Sequence, residues 1–164
     1  MAKVKVLMIC MGNICRSPTA QGVLESKLAQ RGWQADVYVD SAGTHAYHIG
    51  NPPDKRSQQA ALRRGIDLSK QQARLVQESD FAEFDYLLAM DMHNFQYLQR
   101  SAPTAYKAKL RLLLSYAPHL PEFAEVPDPY YGGDNGFERV LDLIDEATEG
   151  LLVDIEQRLG VAGH

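Results

Sequence analysis

The chain has 164 residues, 45% hydrophobic and 23% charged, which suits a single domain over residues 1–164 with a core that needs no disulfide or metal staples. A formal net charge of -4 argues against a general nucleic-acid binder, and no apolar stretch approaches the ~18 residues of a membrane span. No signal-peptide cleavage region follows Met1, and Cys10 and Cys15 lie in one short segment, so a reduced cytoplasm is the expected compartment.

The first apolar run predicts a short buried strand over residues 3–9. A helix over 19–31 should follow, with Ser17 as N-cap and Pro18 at N1, and with Ala20, Val23, Leu24 and Leu28 on one face. Val37 and Val39 predict a second strand over 36–40, closed by Ser41-Ala42-Gly43-Thr44. Asn51-Pro52-Pro53-Asp54 is a turn into a helix over 55–64 that ends at Gly65. A fully buried third strand is predicted over 84–90, then Asp91, then a helix over 92–100. A weaker fourth strand is predicted over 109–114. The last helix is the clearest: Phe137, Val140, Leu141, Ile144, Ala147, Leu151, Ile155 and Leu159 share a face, and Asn135 with Glu138 has the form of a capping box. Gly150 inside it costs about 1 kcal/mol relative to Ala. Strands alternating with helices predict an α/β domain with a parallel sheet.

The run Cys10-Met11-Gly12-Asn13-Ile14-Cys15-Arg16-Ser17-Pro18 joins the first strand to the first helix. It places a thiol and a guanidinium on a loop that ends at a helix N-terminus, where free N–H groups and a partial positive charge gather. Such a loop grips a tetrahedral oxyanion while a nucleophile attacks it. Loop N–H groups, the helix end and Arg16 all favour the thiolate of Cys10. Arg16 offers a planar fork for two phosphate oxygens, which lysine cannot match. Gly12 is expected to supply the torsions that turn successive N–H groups inward, Asn13 to brace the loop, and Ser17 to donate its hydroxyl to the sulfur. The Gly-Lys-Ser/Thr end of a nucleotide-binding loop is missing, and two cysteines alone do not make a zinc site, so neither a metal nor a cofactor is expected.

Cys10, five residues, then Arg16-Ser17 near the N-terminus resembles the signature of the low-molecular-weight protein tyrosine phosphatases. The family's second motif, Asp128-Pro129-Tyr130-Tyr131, stands at the far end. The similarity runs over residues 4–159 and includes Asp40-Ser41-Ala42-Gly43-Thr44, Ile49-Gly50-Asn51-Pro52-Pro53-Asp54, Phe84-Asp85-Tyr86 and Met90-Asp91. It implies a three-layer α/β/α architecture with a four-stranded parallel sheet, the phosphotyrosine phosphatase I (Rossmann-like) fold. It further implies hydrolysis of phosphotyrosine and small aryl phosphates through a phosphocysteine. Cys10 would be the nucleophile, Arg16 the phosphate ligand, and Asp128 the general acid and then general base. Met11, Gly12, Asn13, Ile14, Cys15, Ser17, Tyr47, Tyr130 and Tyr131 would line the substrate site, with Ser41, Gln71 and Asp91 behind them.

Gln71 occupies the place where the family often has histidine, and Asp91 is expected to cap or support the neighbouring strand end rather than act in catalysis. His45, His48, His93, His119 and His164 are read as scattered, exposed side chains. A reversible Cys10–Cys15 disulfide would shield the nucleophile from over-oxidation. The expected partner is a phosphotyrosine-bearing protein, for instance an autophosphorylating bacterial tyrosine kinase of a polysaccharide export system, met by a monomer or weak dimer. The competing readings are an arsenate reductase, a phosphoarginine phosphatase and a non-catalytic phosphopeptide-binding module. The first needs further cysteines, the second carries Thr where Ile14 stands, and the third has no use for the intact Cys, Arg, Ser and Asp set.

Overall fold

Strand β1 (Val4–Cys10) is apolar everywhere except Lys5, as a strand covered on both faces must be. The computed structural model describes residues 2–129 and 135–163, with side chains as far as residue 160. In it β1 lies inside a parallel sheet of order β2-β1-β3-β4, where β2 is Val37–Gly43, β3 Tyr86–Ala89 and β4 Leu110–Leu112. The register runs from Val4↔Val37 to Cys10↔Gly43 on one side of β1 and from Val6↔Tyr86 to Ile9↔Ala89 on the other. Helices α1 (Arg16–Arg31), α2 (Lys55–Leu62), α3 (Glu78–Glu83), α4 (Met92–Ser101) and α5 (Asn135–Gly163) complete the domain.

Alternation along β1 divides the core in two. Val4, Val6, Met8 and Cys10 pack with Leu24 and Leu28 of α1 and Ile144, Leu151 and Ile155 of α5. Leu7 and Ile9 pack the other way, with Phe81 of α3 and Leu98 of α4. The result is the expected three-layer arrangement. Because the chain winds from β1 outward to β2 and later back across to β3, the loops leaving β1 and β3 diverge. A crevice opens between such loops at the carboxyl ends of the strands.

Several expected boundaries move. β2 continues through Ser41, Ala42 and Gly43, which pair with Met8, Ile9 and Cys10; the parallel ladder overrides a local turn signal. β4 has three residues instead of six and is bounded by 3-10 turns at Thr104–Lys109 and Leu113–Tyr116. Helix α3 was not foreseen. Its six residues are too few for a hydrophobic period, and it is opened by the Asp80 carboxylate accepting the Gln77 N–H at 2.8 Å. Glu138, expected to cap α5, accepts from Arg63 and Arg64 of the segment after α2.

Gly150 has a reason that the sequence hides. A Cβ there would stand 1.9 Å from the Tyr116 carbonyl oxygen, so α5 lies directly on the backbone of the last 3-10 turn. Although Ala is the better helix former, Gly150→Ala is expected to destabilise the fold by about 1–3 kcal/mol through overpacking against atoms that cannot swing away. Urea denaturation checks this; a midpoint at or above wild type would refute the close approach.

Candidate active site

β1 ends at Cys10 and α1 begins at Arg16, with Cys15 in the N-cap position. Ser17 is therefore not the cap but part of the first helical turn. Pro18 also falls in that turn, where its missing N–H still costs nothing. The loop backbone is clamped by the end of β2: Thr44 N–H donates to the Cys10 carbonyl and His45 N–H to the Met11 carbonyl, both at 3.0 Å. The left-handed residue is Asn13 (φ +58°) rather than Gly12. What Gly12 provides is room, since a Cβ there would meet the His48 ring at 3.0 Å.

Hydrogen bonds around Asn13 have a fixed polarity. Its Oδ1 accepts the backbone N–H of Arg74 at 3.0 Å, which can only donate, so the Nδ2 group must face the other way. Nδ2 then donates to Ser17 Oγ and Ser41 Oγ, both at 2.9 Å. With its acceptor side so engaged, Ser17 turns its own proton toward Cys10 Sγ, 2.9 Å away. The sulfur also accepts the Asn13 backbone N–H at 3.3 Å. Ser41 passes its proton outward to Gln21 Oε1 at 2.7 Å. The Ser17 hydroxyl and the Asn13 N–H thus both point their protons at the sulfur.

Arg16 is only 4% exposed. Its Nη1 donates to Asp91 Oδ2 at 2.7 Å and to the Val126 carbonyl at 3.1 Å, while Nη2 stands 4.0 Å from the Asp128 carboxylate. Burial works to lower its pKa, but the charges of Cys10, Asp91 and Asp128 outweigh it and hold the guanidinium above the ordinary arginine range. Asp91 does more than support a strand end. One oxygen caps α4 through the Asn94 N–H at 2.8 Å and the other fixes Arg16.

Cys10, Met11, Gly12, Ile14, Cys15, Arg16, Tyr47, His48 and Asp128 line one cleft of about 280 Å³. Of these, Met11 and Tyr47 are exposed. Burial pushes the Cys15 thiol up to about 12, opposed in part by the neighbouring Ser57 hydroxyl, so Cys15 is a neutral wall residue. Tyr130 and Tyr131 lie outside the described residues. Gln71 does not join the Asn13 network. Its Nε2 donates to the Pro18 carbonyl at 3.0 Å, and its buried Oε1 has no hydrogen-bond partner among the described residues. Among the described residues no three His, Cys, Asp or Glu side chains gather as a metal ion would require.

Two contributors escaped the sequence reading. His48, a scattered surface histidine by sequence, forms a wall of the cleft, presented by a turn in which the Asn51 N–H donates to its carbonyl at 2.9 Å and Gly50 takes φ +84°. Its position beside Tyr47, already expected at the mouth, was the available signal. Gln21 lies one helical turn beyond Ser17, and that i, i+4 spacing would have placed it on the same face of α1. His93 and His119 are exposed as read, while His45 stacks on Tyr47 with centroids 5.6 Å apart.

The family model described as low molecular weight phosphotyrosine protein phosphatase matches residues 5–160. The chain is 45% identical over 137 residues to the human low molecular weight phosphotyrosine protein phosphatase, covering 82% of this chain and 85% of that one. It is 40% identical over 154 residues to the low molecular weight protein-tyrosine-phosphatase YfkJ of Bacillus subtilis, covering 94% and 97%. Among solved structures, a protein tyrosine phosphatase from Entamoeba histolytica with Hepes in its active site superposes with a TM-score of 0.90 at 38% identity, covering 94% of this chain and 97% of that one.

Proposed function

The chain belongs to the low-molecular-weight phosphotyrosine protein phosphatase family, and on that premise we propose that it hydrolyses phosphotyrosine in proteins, and small aryl phosphates, through a phosphocysteine on Cys10. The observation that carries this reading is the convergence of Cys10, Arg16 and Asp128 on one cleft. Arg16, its Nη1 edge held by Asp91, offers Nη2 to the equatorial phosphate oxygens together with the loop N–H groups. Cys10 attacks phosphorus, and Asp128 gives its proton to the departing phenolate oxygen. Asp128 then takes a proton from water as the water attacks the phosphocysteine, and the Ser17 hydroxyl receives the returning thiolate. Met11, Ile14 and Tyr47 give the cleft apolar walls, which suit an aryl ring better than a charged leaving group.

A thiol relay of the arsenate-reductase kind would need a cysteine beyond Cys10 and Cys15, and the sequence has two. The whole chain serves as one catalytic unit in this reading. Its client is a phosphotyrosine-bearing protein, a bacterial tyrosine kinase among the candidates, approached by a monomer or weak dimer in the cytoplasm. Among the described residues no helix is long and apolar enough to cross a membrane.

Cys10→Ser is expected to lower aryl-phosphate turnover by ~10³-fold or more while inorganic phosphate still binds; near wild-type turnover would sink the assignment. Asp128→Ala should reduce kcat/KM for phenyl phosphate by about 10²-fold but leave 4-nitrophenyl phosphate far less affected, because a good leaving group needs no proton. The two cysteines lining one cleft also support redox protection: peroxide oxidises Cys10 to a sulfenic acid, and Cys15 displaces water from it to close a disulfide. Cys15→Ser should then show a smaller fraction of activity recovered by dithiothreitol after peroxide; equal recovery would remove that role.

A further inference from the structure

Asp128 stands on a loop whose two ends are anchored by different parts of the molecule. Before it, the Val126 N–H donates to the Met90 carbonyl at 2.8 Å, and the Val126 carbonyl accepts from Arg16. After it, buried Pro129 rests on the first turn of α5: a Cβ on Gly136 would stand 3.5 Å from Pro129 Cβ, ordinary van der Waals contact. That turn is in turn gripped from outside. The Arg56 guanidinium lies 4.8 Å over the Phe137 ring, and Arg63 and Arg64 donate to Glu138 at 2.8 and 2.9 Å. Arg64 reaches on to Asp142 at 2.8 Å.

Helix α2, which carries Arg56 and runs directly into Arg63 and Arg64, is also fastened to the nucleophile loop. Asp54, the N-cap of α2, donates its backbone N–H to the Ile14 carbonyl at 2.7 Å, while its carboxylate caps the helix through the Arg56 N–H at 2.8 Å. One short helix thus holds both the loop that carries Cys10 and the turn on which the Asp128 loop rests.

We propose that α2 is a bracket that sets where the proton donor stands over the thiol, with Glu138 and its partners Arg63 and Arg64 as positioning residues. This rests on the reading of Asp128 as general acid. Ion pairs at the surface contribute little to stability. The bracket therefore shows in rate, and specifically in the part of the rate that depends on proton donation, since a displacement of about 1 Å is enough to cost a catalytic group much of its effect.

The test compares Glu138→Ala and the pair Arg63→Ala/Arg64→Ala with wild type and Asp128→Ala. It follows kcat/KM, which reports the first chemical step, for aryl phosphates from 4-nitrophenyl to phenyl, together with the inhibition constant of inorganic phosphate. Phenyl phosphate should lose on the order of tenfold, while 4-nitrophenyl phosphate and phosphate inhibition stay within about twofold, so that leaving-group dependence steepens part of the way toward Asp128→Ala. Glu138→Gln, whose amide oxygen still accepts from Arg64, should keep the wild-type dependence. If Glu138→Ala does not fold, Gly136→Leu, which pushes on Pro129 without touching the ion pairs, should steepen the dependence in the same way. An unaltered dependence in the α2-side variants, or an equal loss for every leaving group, overturns the bracket. An unaltered dependence in Asp128→Ala overturns the proton-donor reading and the bracket with it.

Discussion

A guanidinium buried to 4% exposure is the constraint around which this site is arranged. Isolated, such a charge would be costly by many kcal/mol, and the cost is tolerable only where partners surround it. Arg16 opens α1, but its partners come from elsewhere: Asp91 from the N-cap of α4, the Val126 carbonyl from the segment that leads to Asp128, and Asp128 itself. Satisfying one cation therefore draws three distant loops together at the carboxyl edge of the sheet. Asp91 is fixed in turn by its second duty at the start of α4, so the cation is held by a rigid element instead of a mobile side chain.

Asn13 plays the complementary part for the thiol. A serine hydroxyl can rotate, and whether it donates or accepts is ordinarily open. Here a single backbone N–H, that of Arg74, decides the matter at one remove by orienting the Asn13 amide. Arg74 is itself pinned by Asp40 at 3.0 Å and Asp80 at 2.9 Å, which makes β2 and α3 part of the support for Cys10. The short helix α3, which has no evident chemistry, thus supplies the carboxylate that locks the residue that orients the amide.

Much of this was legible in the sequence, and the reasons differ by element. The fully apolar β1 and the long one-faced α5 declare themselves through composition and period, and Cys10, Arg16 and Asp128 through their motifs. The pairing of Asp91 with Arg16 is not legible because the two stand 75 positions apart, and no local pattern encodes such a contact. Gly12 and Gly150 were explained by torsion and propensity, whereas each is small because something from a distant segment occupies the space where a Cβ would be. Ser17 was placed correctly beside the sulfur but given a second duty as cap that the helix start at Arg16 does not require. Local chemistry reads forward from sequence; close approach between segments does not.

Gln21 closes the hydrogen-bonded chain behind the thiol at its outer end. On its inner side its carbonyl takes the Ser41 proton at 2.7 Å. Carboxamides carry a dipole but hand on no proton, so the chain from Gln21 through Ser41, Asn13 and Ser17 to Cys10 is an insulator rather than a wire. No proton passes between the thiol and the outer face of α1 along these hydrogen bonds.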